Sequence, residues 1–444
     1  MPQNGINKAT TTPGSKPRYF YGWNIVAASF LANLPYAQHR SSMLGFFFKP
    51  LQNEFGWSRS AIAAAATITR VMGGIVAPVA GPLIDRYGPR VLMPIGAIIV
   101  GFAMLGVTQI NAIWQFYLLR GALVAIGFAL MGTMVSSIAI SNWFAKKRGR
   151  ALAISRMGIN LGNIAFIPLT VFVIAASGWR TMFVIFAVLT WLFVLIPSSI
   201  LMRRRPEDMG LYPDGIKPGT TETESPREKQ ASPDSEASLP LEPVWSRREV
   251  LMTGTFWLLA ACSSISGMAH EGINISLPPY IQDLGYGDAT LVALMTFRTI
   301  FMAVALLFMG FVAEHAHHIP IRVIPFLIQG LGTLLLSTGQ RVFLWLGVVV
   351  YGFGFSGVGI IGEVLWANYF GRLSLGLVRS LGHFVTFGLG AFGPIAMNAT
   401  FDILGSYQPA FIVISGLSAI SAFIIAVARP PKAQRYATAA EMTP

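Results

Sequence analysis

Gly81-Pro82-Leu83-Ile84-Asp85-Arg86-Tyr87-Gly88-Pro89-Arg90 is the stretch on which the fold turns. It sets charges and helix breakers between two long apolar segments, so it reads as a short charged turn joining two membrane-length helices. Asp85 suits a helix N-terminus or an arginine partner, and Arg86 and Arg90 suit the carbonyls at helix C-termini. With Gly81 and Gly88 they form a candidate latch that holds one end of a moving protein shut and breaks when it opens. A plain charged turn on the basic side of a membrane is the other reading.

Composition supports the membrane setting. Of 444 residues, 54% are hydrophobic and 11% charged, against roughly 25% charged in soluble domains. Mean hydropathy is +0.59. Apolar runs long enough to cross a hydrocarbon core of ~30 Å recur from Tyr21 to Val427. The polar stretch from Met1 to Arg18 has no apolar core and does not read as a cleaved signal peptide. A single cysteine, Cys262, excludes an internal disulfide and a thiolate metal site. No metal and no cofactor is expected.

The net charge of +13 does not call for nucleic acid, because the cations gather at helix ends. They fall at Arg86 and Arg90, at Lys146 to Arg150, at Arg203 to Arg205, at Arg247 and Arg248, and at Arg429, Lys432 and Arg435. Every second connection is basic, as expected of cytoplasmic loops. Both termini are then cytoplasmic and the number of passes is even.

The expected fold is an all-α polytopic membrane protein of about twelve transmembrane helices in two pseudo-symmetric six-helix bundles, the first helix over Tyr21–Phe47, the fifth and sixth over Arg148–Ile174 and Arg180–Met202, and the eleventh over Leu375–Phe401. The division is a tail over 1–19, a bundle over 20–202, a linker over 203–250, a second bundle over 251–428 and a tail over 429–444. Proline recurs through the linker, which reads as flexible and cytoplasmic. Ser246-Arg247-Arg248-Glu249 has capping-box spacing for a short helix before the seventh pass.

The two bundles repeat one another. Pro50, Glu54 and Gly56 after the first helix match Pro279, Asp283 and Gly285 after the seventh, each 229 positions on. Asn142-Trp143-Phe144 matches Asn368-Tyr369-Phe370. Arg70 precedes Asp85 much as Arg298 precedes Glu314. Halves repeated in this way surround a central cavity with the cargo site near the midplane. The counterpart of the opening turn, Gly310 to His315, is degenerate, so the two latches are unequal. The nearby His315, His317 and His318 read as a solvated turn, not a metal site.

The pattern G-x-L-x-D-R-x-G-x-R resembles the loop between the second and third helices of major facilitator transporters. Asn142 to Ile154 leading into Gly158 and Gly162, Tyr21-Gly22-Trp23, and Arg203 to Pro213 resemble the monocarboxylate transporter family and its bacterial oxalate/formate-antiporter-like branch. The resemblance implies a carrier, not an enzyme, in the bacterial inner membrane, working as a monomer in the lipid bilayer. Gly158-x-x-x-Gly162 lacks the Gly-Pro that follows in drug/proton antiporters.

Ionisable residues inside the passes carry the remaining information, because each costs about 2.5–3.5 kcal/mol at a helix centre on insertion scales. They are His39, Arg40, Arg70, Arg120, Arg156, His270, Glu271, Arg298, Glu363 and His383. Five arginines against two glutamates leave a positive interior that favours an anion. Arg298 matches the family's eighth-helix arginine, which the resemblance assigns to the substrate carboxylate; an ion pair with Glu271 or Glu363 is the alternative. Arg40 lies near the family's first-helix lysine, and Arg156 stands where small residues are usual. Arg298, Arg40, Arg156, His383 and Tyr280 are therefore the substrate-binding candidates. Arg70 reads first as a structural partner. Arg120 resembles a fourth-helix arginine that bears on gating. Leu294 stands where animal relatives carry an acid, so proton coupling falls to Glu271, Glu363, His270 or His383. A lone buried histidine is more often simply hydrogen-bonded.

These readings imply a secondary transporter that moves a small organic anion, in the first place a monocarboxylate, by proton-coupled alternating access. An exchanger or exporter of the same fold is the nearest rival. A transporter-like sensor signalling through the linker is the rival from another class.

Overall fold

The computed structural model describes residues 20–144, 147–215, 245–313, 319–370 and 375–431. Most of the expected linker, both tails, and the turn carrying Glu314, His315, His317 and His318 lie outside these residues. So do the side chains of Asp85, Glu363 and His383, and any contacts at Gly81.

Among the described residues the chain makes twelve helical passes and no strand. Eight stretches are long and apolar enough to cross a membrane on those grounds alone. The fifth and sixth passes count there as one stretch, and the first, second and seventh are not among the eight. The seventh, Gly254–Asp283, carries His270, Glu271, Asn274 and several serines. The first is broken into Gly22–Asn33, Tyr36–His39, Ser41–Gly45 and Phe48–Phe55. The sequence predicted one helix over Tyr21–Phe47. Pro35 removes an amide donor at the first break, and Arg40 takes an extended conformation at the second (φ −65°, ψ 147°).

The second pass, Arg59–Tyr87, starts on a Ser58 cap and runs through most of the turn that opened the reading. Only Gly88 leaves helical geometry there, with φ 75° and ψ 168°, and the third pass begins at Pro89. That region of backbone space is nearly closed to side chains, and a Cβ at Gly88 would stand only 3.1–3.4 Å from the Arg204 side chain. The fifth and sixth passes are joined in the same way, with Gly178 (φ 84°) as the one non-helical residue within Arg148–Thr190. The predicted gap between Ile174 and Arg180 is thus a single-residue hinge.

The eleventh pass, predicted as one helix over Leu375–Phe401, divides into Leu375–Gly390 and Gly393–Leu404. Pro394 cannot donate to residue 390, which accounts for the break. The predicted capping box is present: Ser246 Oγ accepts from Glu249 N at 3.3 Å, and Glu249 Oε2 accepts from Ser246 N at 2.7 Å.

The halves meet along three seams: first pass on seventh, second on eleventh, and fifth on eighth. Glycines set how closely helices approach. Gly158 and Gly162 on the fifth pass face the Phe30 and Leu34 carbonyls of the first, leaving no room for a Cβ. Asn33 Nδ2 fastens the same seam by donating to Ser155 O and Oγ, each at 2.9 Å. A methyl group at Gly162 must push the broken first pass away, at a cost of about 1–3 kcal/mol. Gly162→Ala is expected to lower the thermal midpoint and weaken ligand binding together. An unchanged midpoint in a detergent melting assay would show that the seam is looser than described.

Candidate functional site

A cavity of about 180 Å³ lies between the halves where the first pass is broken. Its first-half walls are Tyr36, His39, Arg40 and Ser41, with Ala66, Thr69 and Arg70 from the second pass and Arg120 from the fourth. Glu271 and Asn274 on the seventh pass supply the other wall. For scale, a cavity of ~150 Å³ admits benzene, so this one suits an ion of a few heavy atoms.

Each polar wall has a local cause. Non-helical backbone at membrane depth is tolerated where it lines a cavity, and the extended residue Arg40 sits at that point. The carbonyl of Gln38 beside the break is taken by Arg120, whose Nη2 donates to it at 3.0 Å. Arg120 lies in a π-helical turn, Tyr117–Leu123. Such bulges often occur at functional sites, and this one is packed on the second pass through Thr69 Oγ1 to Arg120 O at 3.3 Å. His39 is stacked on Phe128 with ring centroids 4.4 Å apart.

One carboxylate answers the arginines. Glu271 Oε1 accepts from Arg70 Nη2 at 2.8 Å, and its Oε2 accepts from Ser41 Oγ at 2.6 Å. The seventh pass is thereby tied to the first and second. Behind Asn274, the buried Arg298 donates through Nη2 to Asn274 Oδ1. Its guanidinium stands 5.9 Å from the Tyr351 ring centroid, and its buried Nε has no partner.

The predicted residues therefore separate. Arg40, Arg120 and Glu271 line one cavity, and Arg298 lies one residue behind it. Arg156 is exposed on the fifth pass and is not part of the lining. Tyr280 is buried within the second half, donating to Leu336 O at 2.8 Å and packing on Tyr407 and Phe411. His270 is buried with its ring stacked on Phe355 at 3.6 Å, and its Nδ1 is 3.2 Å from the Tyr351 hydroxyl. Glu363 and His383 fall on the tenth and eleventh passes, with side chains outside the description. In the opening turn, Arg86 and Arg90 are exposed, and Arg86 lies 5.3 Å from the Tyr87 ring.

A second constellation was not anticipated. At the end of the molecule away from Gly88, the buried Arg59 grips Asp283 with both guanidinium nitrogens, one at 3.0 Å. It also donates to Tyr407 OH at 3.1 Å and lies 3.7 Å over the Phe401 ring. Lys49 reaches Asp283 at 3.4 Å. Asp402 accepts from the first amides of the second pass, Arg59 N at 3.1 Å and Ser60 N at 2.8 Å. These contacts cross between halves and hold that end shut. The repeat carried a signal for them, since Asp283 is the counterpart of Glu54. Glu54 pairs within its own half with Arg180. In the second half the matching turn, Gly405-Ser406-Tyr407, has no arginine, and Asp283 turns to Arg59 instead.

A larger groove of about 800 Å³ runs along the seam of fifth and eighth passes. Its walls are mostly apolar, and Phe172 and Ile300 on it are exposed, as suits a lipid-facing surface. Among the described residues no cluster of histidine, cysteine or carboxylate groups is suited to hold a metal.

Comparison with known proteins agrees with this architecture. The family pattern described as Major Facilitator Superfamily matches residues 40–371 and 259–443. The chain is 24% identical over 339 residues to monocarboxylate transporter 6 of Mus musculus, covering 72% of this chain and 68% of that protein. It is 26% identical over 159 residues to the oxalate:formate antiporter of Oxalobacter formigenes, covering 35% and 37% of the two chains. A further relative, the uncharacterized MFS-type transporter YcxA of Bacillus subtilis, is 26% identical over 45% of its length. The matched stretches thus span less than half of these last two. Among solved structures, the inward open conformation of the xylose transporter XylE from E. coli superposes with a TM-score of 0.67 at 15% identity, covering 94% of this chain and 98% of that one. The nucleoside transporter NupG gives 0.66 at 15% identity, over 92% and 98%. With twelve passes among the described residues, in two repeated halves around a polar cavity, the chain is a multi-pass membrane protein and belongs to the major facilitator superfamily.

Proposed function

We propose that this transporter carries a small carboxylate, in the first place a monocarboxylate, across the bacterial inner membrane by proton-coupled alternating access. The observation that carries the reading is the charge of the cavity: Arg40, Arg70 and Arg120 line it, Arg298 stands behind Asn274, and Glu271 is the one acid among its described lining residues. Each retained arginine is costly at membrane depth, and a planar guanidinium matches a carboxylate better than it matches a sugar or a nucleoside. Relatives named as monocarboxylate transporters and an oxalate:formate antiporter support the same class.

Arg298 and Arg40 hold the anion in this reading, with Arg156 and His383 meeting it on the way through and Tyr280 shaping the second half. The proton travels on Glu271, Glu363, His270 or His383. The basic connections support a cytoplasmic place for both termini and for the Gly81–Arg90 latch. The end sealed by Arg59 and Asp283 is then extracytoplasmic. Division of the chain at 203–250 follows the repeat, and the carrier works as a monomer.

Proteoliposome uptake over a panel of short carboxylates tests the reading. Saturable uptake is expected for at least one of them, with Arg298→Ala or Arg40→Ala weakening binding about 10- to 100-fold, the scale of one charge-assisted hydrogen bond. Unchanged binding in both variants would remove the assigned site. Counterflow with and without a pH gradient separates proton symport from the exchange named for the antiporter relative.

A further inference from the structure

The Arg70–Glu271 pair spans the two halves inside the cavity, where a structural ion pair has an awkward consequence. It occupies the guanidinium nearest the second-half wall and fills the space the cargo must enter. Glu271 presents a carboxylate there with one oxygen on an arginine and the other on a serine hydroxyl. That is the geometry an incoming carboxylate would need.

We propose that Arg70 and Ser41 form a cargo subsite that Glu271 fills in the empty carrier. The cargo carboxylate displaces the Glu271 carboxylate from Arg70 Nη2 and Ser41 Oγ. The displaced Glu271 then takes one proton from water onto a carboxylate oxygen, because an unpaired charge at that depth is costly. One anion and one proton enter together, and their release restores the Arg70–Glu271 pair. The inference rests on the carboxylate reading above and deepens it. It gives Arg70 a contact with cargo and Glu271 the role of tethered competitor.

The surroundings of Glu271 agree with exchange of one anion for another. The charged and titratable groups near it are His39 and Arg40 on the first pass, Arg70 on the second and Arg120 on the fourth. On its own pass His270 is adjacent, and Arg298 and Tyr351 stand on the eighth and tenth. His383 belongs to the eleventh pass, which packs on the seventh, and its side chain lies outside the description. Four of these groups are arginines and Glu271 is the one carboxylate among those described, so a site emptied of both Glu271 and cargo would hold an excess of positive charge; Glu363 belongs to the tenth pass and its side chain lies outside the description. The competitor keeps the resting cavity from that state.

The test is a double-mutant cycle in purified protein, read by calorimetric binding of a transported carboxylate at pH 6 and pH 8. Wild type is expected to bind more weakly at pH 8 and to take up about one proton per anion. Glu271→Gln removes the competing charge, so it should bind at least as tightly as wild type at pH 6. Its affinity should no longer depend on pH, and counterflow should persist while proton-driven accumulation is lost. Arg70→Ala in the Glu271→Gln background should weaken binding a further 10- to 100-fold or so. A purely structural Arg70 predicts no further loss there, and that outcome would overturn the proposal. Retained pH dependence in Glu271→Gln would overturn it equally. Failure of wild type to bind any carboxylate is a different result, which removes the underlying function and not this step alone.

Discussion

Asp283→Asn is expected to open the sealed end of the transporter. Arg59 is 4% exposed, and in the closed state its guanidinium depends on the Asp283 carboxylate from the opposite half. Arg59 is out of water but Asp283 is not, so losing the pair costs about 1.5–3 kcal/mol, the scale of a charge-assisted hydrogen bond. The cost falls on the closed state alone. Once the halves part, Arg59 and residue 283 reach water separately. A shift of this size changes the ratio of closed to open forms by a factor of roughly 10 to 100. Spin labels at Ser60 and Ser406, in a Cys262→Ser background, report the separation of the halves at that end by pulsed electron resonance. The long-distance population should dominate in Asp283→Asn and be minor in the parent. Asp402→Asn removes only a charge from the start of the second pass, worth roughly 0.3–1 kcal/mol, and should shift the distribution far less. Equal distributions in parent and Asp283→Asn would show that packing, such as Gly45 against Ile275 O and Pro278, holds the end shut by itself.

Arg120→Met should separate stability from transport. The substitution recovers the ~2.5–3.5 kcal/mol that an arginine costs at membrane depth. It loses the charge-assisted bond to Gln38 O, about 1.5–3 kcal/mol, and leaves that carbonyl without a side-chain donor. These terms nearly cancel, so the thermal midpoint should stay close to wild type. Transport does not share the cancellation. The broken first pass loses its brace, and the cavity loses one of the cations on its wall. Carboxylate binding is expected to fall about 10- to 100-fold, with uptake falling at least as far. A variant that melts normally and transports normally would show that the fourth-pass arginine is only a packing element. A large drop in midpoint would show that the brace outweighs the burial cost.

The architecture was largely legible in the sequence because membrane helices announce themselves by length and apolarity, and the repeat announces itself by spacing. Pro50 with Pro279 and Glu54 with Asp283 were enough to align the halves. The breaks were less visible. Pro35 and Gly393-Pro394 signalled weak points in the first and eleventh passes, but a hydropathy reading runs across them. The extended conformation of Arg40 has no local signature. The turns showed the opposite error, since one glycine of suitable geometry replaced each of two expected loops.

At the site, residue type was informative and spatial grouping was not. Periodicity places an arginine at a depth in a pass and says little about which helix it faces. Arg40, Arg120 and Glu271 came together in one cavity, while Arg156 remained on an exposed face and Tyr280 within a bundle. Arg70 read as a structural partner because nothing in its own helix shows that Glu271, 201 positions away, is its acceptor. The Arg59–Asp283 seal escaped for the same reason, 224 positions apart. Its trace in the sequence is an absence: the second half lacks the arginine that serves Glu54 in the first.

On the reading proposed above, the arginine cavity binds a small carboxylate and carries it through the membrane. Uptake of a radiolabelled short carboxylate into liposomes containing the purified protein tests it most directly, with Arg298→Ala beside the wild type. Saturable uptake is expected that unlabelled carboxylates compete away, that neutral sugars leave unchanged, and that Arg298→Ala largely abolishes. Uptake competed by neutral sugars or nucleosides but by no carboxylate would contradict it.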